Sequence, residues 1–300
     1  MAAMPVEVDF DDLPIRPSGP RHVYGSTNVT DTPLADMPVC GIEPRGWSIG
    51  RVVGDRYELA ALIGKRPFGT AYRGIDRTAP QVHCAGRLAV TVMQLDPGAE
   101  QDAGFLRRLR SATDRLRRLE HPSLDAASQI VEEDGAVFVI SRYRTGRTLA
   151  DLLGRTAGAG WPLRTVLPVG HRLAEALEHA HSAGVVHGAL DTASVLLTAD
   201  DEAVLTDLGL HAARANGGAD TKLDVLGLAR LILAMLTGGG TEPRDGPVPR
   251  RPAGIGETAW ARLLEGLASD PALRPATTVA LIVSLEDPGW SRRLVGRRSR

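Results

Sequence analysis

Residues 184–197 read GVVHGALDTASVLL. A histidine closing an apolar run can carry a proton, and an active site built around it would want a carboxylate nearby as general base. Two positions after His187 stands Ala189, which carries no such group. Without it, His187 reads as a packed core residue. Asp207 opens the triplet DLG and has the chemistry to hold a hard cation, although a single carboxylate at a strand end serves equally to cap a turn. Cys40 and Cys84 stand far apart without metal-ligand spacing, so the sequence suggests neither a zinc site nor a disulfide framework, and this usage fits a reducing cytoplasm.

Such side chains must be held by a core, and 300 residues at 43% hydrophobic content are enough for one large core or two medium ones. A formal net charge of −1 gives no general attraction to nucleic acid. The charge is uneven, with EVDFDD near the start and WSRRLVGRRSR at the end; the basic tail could meet acidic lipid or a partner, and a solvated run is the plainer reading. No basic start followed by an apolar core marks a signal peptide. The most apolar run, VLGLARLILAMLTG from Val225, is short and interrupted by Arg230, so no membrane span is expected. Lys65 and Lys222 are the only lysines, an Arg-rich usage that resembles a high-GC bacterium.

Residues 1–50 are rich in Pro, Gly, Asp and Thr without a sustained apolar period, which predicts a flexible tail. From Arg56, RYELAALIG and GTAYRGID are strand-like runs flanking a turn, LAVTVMQL from Leu88 is a third, and AVFVISRY is another; together they predict an antiparallel sheet. Between them Phe105, Leu109, Ala112, Leu116 and Leu119 recur at helical spacing, with Arg pairs on the other face. After RTLADLL the texture turns helical. Residues 163–183 carry an apolar stripe, SVLLT and AVLTDLG are short strands, KLDVLGLARLILAMLTG is apolar around most of its circumference, and ETAWARLLEGLASDPALRP supplies one more helix, stopped by its Pro residues. A sheet-rich front and a helix-rich back imply two lobes with a cleft between them.

Read in order, LIGKRPFGTAYRG, LAVT, HGALDTAS, DLG, LDVLG and DPALRP form a series that resembles the bacterial Hanks-type Ser/Thr protein kinases of actinobacteria, across residues 51–285. The resemblance implies an α+β, two-lobed protein kinase-like fold: a small antiparallel β-sheet lobe with one helix over about 51–144 and a larger helical lobe over about 145–285. A flexible tail, 1–50, and a basic tail, 286–300, flank it. The family's motif set also gives each position a role. Gly64 and Gly69 match the outer glycines of the phosphate-covering loop, but Arg66 and Pro67 stand where close backbone approach needs no Cβ. Lys65 or Arg66 could neutralise phosphate from that loop, and a solvated loop charge is the alternative. Ala89 keeps the small side chain over adenine, Thr91 replaces the phosphate-binding lysine, and its glutamate partner would fall near Ala112, with Asp114 the nearby carboxylate. The hinge equivalent, SRYR, would offer backbone carbonyl and amide to adenine near Arg142 and Arg144, whose side chains could contact ribose or phosphate or simply be solvated.

Farther along, Ala189 replaces the base, Gly188 its arginine neighbour and Ser194 the metal-binding asparagine, while Asp207 remains as the one candidate metal ligand. His187, Asp224 and Arg274 match structural positions, Arg274 without its usual glutamate. Only residues 210–223 lie between Gly209 and Asp224, too few for a peptide-gripping activation segment, and no A-P-E follows. Packing positions are kept and phosphoryl-transfer positions are not. The leading expectation is therefore a pseudokinase serving as a regulatory or scaffold module. A weakly active ATP-dependent Ser/Thr kinase and a nucleotide sensor without phosphotransfer are the alternatives. ATP is the implied cofactor, with Mg²⁺ or Mn²⁺ resting on Asp207 alone. The implied partners are proteins: a true Ser/Thr kinase acting on Thr27, Thr30 or Thr32 in STNVTDTP, and a forkhead-associated domain that reads the product, with an unmodified linker as the alternative.

Overall fold

Alternating burial along three consecutive runs builds the first sheet. In the computed structural model, which describes residues 48–78, 89–125, 127–156, 158–198, 202–214, 220–239 and 250–286, strands β1 (Val52–Val53), β2 (Tyr57–Arg66), β3 (Gly69–Asp76), β4 (Ala89–Leu95), β5 (Ala127–Glu133) and β6 (Ala136–Arg142) form one antiparallel sheet. Its order is β1-β2-β3-β4-β6-β5. Every second side chain of β4 and β6, Val90 and Val92 with Phe138 and Ile140, joins Val53, Tyr57, Leu59 and Tyr72 in a buried cluster on one face. A short turn, α1 (Pro97–Glu100), leads to α2 (Ala103–Leu116), where Asp102 caps the start by accepting from the Phe105 amide at 2.8 Å. Phe105, Leu109, Ala112 and Leu116 are buried as their spacing predicts. Leu119 lies beyond the helix end. β5 was not legible as a strand, because Gln129, Glu132 and Glu133 give ASQIVEE a polar half; its pairing with β6 supplies the backbone partners.

The second compact unit takes residues 118–125 and everything from 145 onward among the described residues. The stretch 118–125 thus differs from the sequence division at 144: Asp125 donates its amide to the Leu205 carbonyl at 2.8 Å and Leu124 bridges to Leu205, so it is tied to the later chain. A small sheet, β7 (Gly146–Thr148), β8 (Val195–Thr198) and β9 (Ala203–Leu205), accompanies helices α3 (Leu149–Arg155), α4 (Leu163–Ser182), α5 (Leu210–Arg214), α6 (Thr221–Thr237), α7 (Glu257–Gly266) and α8 (Thr278–Leu285). Helix α6 is the all-round apolar one, with Val225, Leu228, Ala229, Leu231, Ile232 and Leu233 buried, capped at its start by Asp220 and closed by Gly238 at φ 78°. Gly227 has a further use. A Cβ there would lie 2.6 Å from the Leu190 Cβ, so glycine lets the loop carrying Ala189 rest on α6. No helix among the described residues is long and apolar enough to cross a membrane.

Candidate functional site

In the first unit, the glycine loop is a tight hairpin. Arg66 pairs with Gly69 across a two-residue connection, Pro67-Phe68, and the turn is fastened to the end of β4: Asp96 donates its amide to the Phe68 carbonyl at 2.8 Å, and the Lys65 ammonium pairs with the Asp96 carboxylate at 2.7 Å. Phe68 is buried and stacks on Phe105 of α2, ring centroids 6.2 Å apart. Gly64 has φ 144° and open space around it, whereas a Cβ at Gly69 would stand 1.8 Å from the Gln94 carbonyl oxygen. Gly69 is therefore required by the neighbouring strand, a reason that needs no phosphate. Lys65 belongs to the exposed pair with Asp96, which is the solvated-loop alternative.

The sheet register fixes which face each candidate shares. Arg73, Thr91 and Ser141 are direct partners across β3, β4 and β6 and so lie side by side on one face. Ala89, two residues from Thr91, is on the same face, and its carbonyl accepts from the Tyr143 amide. Arg142 pairs with Val90, a member of the opposite, buried cluster, so the register separates Arg142 from Ala89 and Thr91. Arg144 follows Tyr143 and is half-buried. Ala112, near the position expected for the lysine's glutamate partner, is buried, and Asp114 is exposed. A cation is nevertheless present beside Thr91. The Arg73 guanidinium lies over the Tyr143 ring with Cζ 5.4 Å from its centroid, its Nε is enclosed without a hydrogen-bond partner, and no carboxylate among the described residues pairs with it. An enclosed donor left unsatisfied costs about 1–3 kcal/mol, and more when it is charged. Motif reading missed Arg73, because only the strand register sets it against Thr91.

The second unit holds the remaining candidates. Asp224, fully buried near the start of α6, accepts from the His187 amide at 2.9 Å, from the Gly188 amide at 2.7 Å, and binds the His181 Nε2 at 2.7 Å. The loop frame is thereby held by one carboxylate. His187 is fully buried, with Nε2 3.1 Å from the Thr206 carbonyl, in keeping with a packing role. Ala189 follows with no group to move a proton. The Ser194 hydroxyl donates to the Asp191 carbonyl at 2.8 Å and accepts from the Asp191 amide at 3.0 Å, while the Asp191 carboxylate accepts from the Ala193 and Ser194 amides. Ser194 is thus buried and spent on its own turn.

Asp207 adopts φ 59° and its carbonyl accepts from the Leu210 amide, placing it in a turn that leads into α5. Beside it stands a histidine that motif reading passed over. The His211 ring stacks on His187 with centroids 5.9 Å apart; burial pushes the His211 imidazole below its ordinary value and the His187 ring adds to this, while Asp207 and Asp191 pull the other way. Arg274, without its usual glutamate, has three other partners: Nε donates to the Ala268 carbonyl at 2.8 Å, and its two terminal nitrogens donate to the carbonyls of Lys222 and Ser269 at 3.0 Å. Lys222 returns the bond to the Arg274 and Pro275 carbonyls. Thr27, Thr30 and Thr32 lie outside the described residues, as do both cysteines. No group of three or more metal-ligating side chains is present among the described residues.

An antiparallel sheet bearing one long helix, followed by a helical unit in which a buried aspartate holds a His-Gly loop, defines a protein kinase fold. The kinase domain of PknI from Mycobacterium tuberculosis has the same fold, with a TM-score of 0.68 at 22% identity over 80% of this chain and 98% of that one. Residues 57–224 match the family model described as "Protein tyrosine and serine/threonine kinase", and the chain belongs to that family. It is 29% identical over 266 residues to the serine/threonine-protein kinase PknK of Mycobacterium bovis, covering 75% of this chain and 23% of that protein. It is 25% identical over 162 residues to a probable serine/threonine-protein kinase of Clostridium perfringens, covering 54% of this chain and 22% of the relative. The chain therefore spans about a quarter of the length of these curated relatives.

Proposed function

We propose that this chain is a pseudokinase: a kinase-family signalling module that transfers no phosphate and acts by being bound and modified. One observation carries the reading. Asp224 still grips the amides of His187 and Gly188 as a frame for chemistry, while the loop so framed presents Ala189 and a Ser194 whose hydroxyl is consumed by Asp191. Selection that keeps the frame and discards the reacting groups acts on shape. Thr91 and the fastened glycine hairpin extend the same pattern to the first unit. Loss of a general base alone costs about 10²- to 10⁴-fold in rate, before the loss of charge stabilisation at the phosphates is counted.

In this reading the N-terminal threonines Thr27, Thr30 and Thr32 are acceptors for a true Ser/Thr kinase, and the phosphorylated segment recruits a forkhead-associated domain. Incubation with an active bacterial Ser/Thr kinase and ATP should place phosphate on one or more of them, read by peptide mass spectrometry. Binding of a forkhead-associated domain should then require that modification. An unmodified segment after such treatment would remove the acceptor role, and modification with ATP alone would overturn the pseudokinase reading.

A further inference from the structure

We propose that Arg73 is the phosphate-binding cation of this chain, doing from β3 what Thr91 on β4 cannot, and that its ligand is a nucleoside di- or triphosphate held without a metal ion. The inference deepens the reading of the chain as a module that binds without transferring, and rests on it. Arg73 and Thr91 are direct register partners, so the two side chains leave the sheet on the same face, their Cα atoms about 4.5–5.5 Å apart. The two backbones are thus one strand spacing apart, and the Arg73 guanidinium itself reaches across to the Tyr143 ring, whose residue is tied to Ala89.

Three observations favour an anion as what Arg73 is built to meet. Its Nε is enclosed and without a hydrogen-bond partner, and no carboxylate among the described residues neutralises it. The Tyr143 ring under the guanidinium holds it by a cation–π contact but supplies no formal counter-charge. The neighbouring Thr91 and Ser141 add hydroxyls on the same face without adding charge. The glycine hairpin, meanwhile, is tied to the end of β4 through the Phe68 carbonyl and Asp96, and its tip carries Arg66 and Pro67 rather than a glycine. A planar, permanently charged guanidinium can grip two phosphate oxygens at once and neutralise them without Mg²⁺, which suits a chain whose Ser194 is spent on its own turn.

The test is a calorimetric titration of the full chain with ATP, ADP and adenosine, each in EDTA and again with Mg²⁺, for wild type, R73M and R73M/T91K. Wild type should bind ATP in EDTA at least tenfold more tightly than adenosine. R73M should lose that tenfold preference while binding adenosine as wild type does, which also reports that the sheet is folded. R73M/T91K, which returns a cation to the partner position, should recover most of the preference. Equal affinity for ATP and adenosine, binding of ATP only with Mg²⁺, an R73M chain that binds ATP like wild type, or no nucleotide binding at all would each overturn the proposal. Because the titration reads binding alone, phosphate transfer by the wild-type chain would sink the pseudokinase reading and leave the Arg73 result standing.

Discussion

Asp224 does the most at the scale of single residues. It satisfies two loop amides and His181 from a fully buried position, so Asp224→Ala leaves several polar groups orphaned at once. We expect a loss of about 3 kcal/mol of stability by urea denaturation. His211 gives a pH signature. Its imidazole is held below the ordinary value in the folded chain, so the unfolded chain binds the proton first, and stability should fall as pH drops below about 6.5. His121, also lowered by burial, adds to the same trend, and His211→Asn should flatten part of the slope measured between pH 7 and pH 5. Asp76 acts lower on the scale: the Arg56 guanidinium, donating two hydrogen bonds, holds its carboxyl well below the usual carboxylate range. Its contribution is present above the ordinary carboxylate value and is lost only in strong acid. Thr91, Ala189, Ser194 and Asp207 could be read from motif order, because each stands at a fixed offset from a turn or strand. Arg73, Asp191 and His211 could not, since what matters for them is a partner chosen by register, by a hydroxyl's rotation or by ring stacking.

Among the elements, the glycine hairpin and α2 depend on one another. Phe68 is the hairpin's only large buried side chain at the tip, and it rests on Phe105. Phe68→Ala should cost about 3–5 kcal/mol by thermal or urea unfolding. Gly69→Ala should be comparably harmful, since its Cβ would collide with the Gln94 carbonyl; a neutral result would mean that the hairpin lifts freely from β4. Strand and helix positions in LAVTVMQL, AVFVISRY, residues 163–183 and KLDVLGLARLILAMLTG were legible from period and apolar content, and they form β4, β6, α4 and α6. The two-residue β1, the short β7 and α5, and the polar-faced β5 were not, because elements of this kind are made by pairing and carry little pattern of their own. α8, TVALIVSL, is rich in β-branched residues and is helical because Leu281, Ile282 and Leu285 are buried in the helical unit.

For the whole molecule, family membership and chemistry part company. Residues 57–224 carry the kinase family's pattern, and the fold follows it. In the reading proposed above the sites of reaction do not: Thr91, Ala189 and Ser194 stand at the cation, general-base and metal-binding positions, and the Ser194 hydroxyl is held in its own turn. The measurement that bears most directly on this claim is transfer of radiolabelled phosphate from ATP, with Mg²⁺ and with Mn²⁺, to the chain itself and to a generic basic protein substrate. A pseudokinase gives no incorporation above that of an Asp207→Ala control. Incorporation that Asp207→Ala abolishes would contradict it and restore this chain to the active kinases.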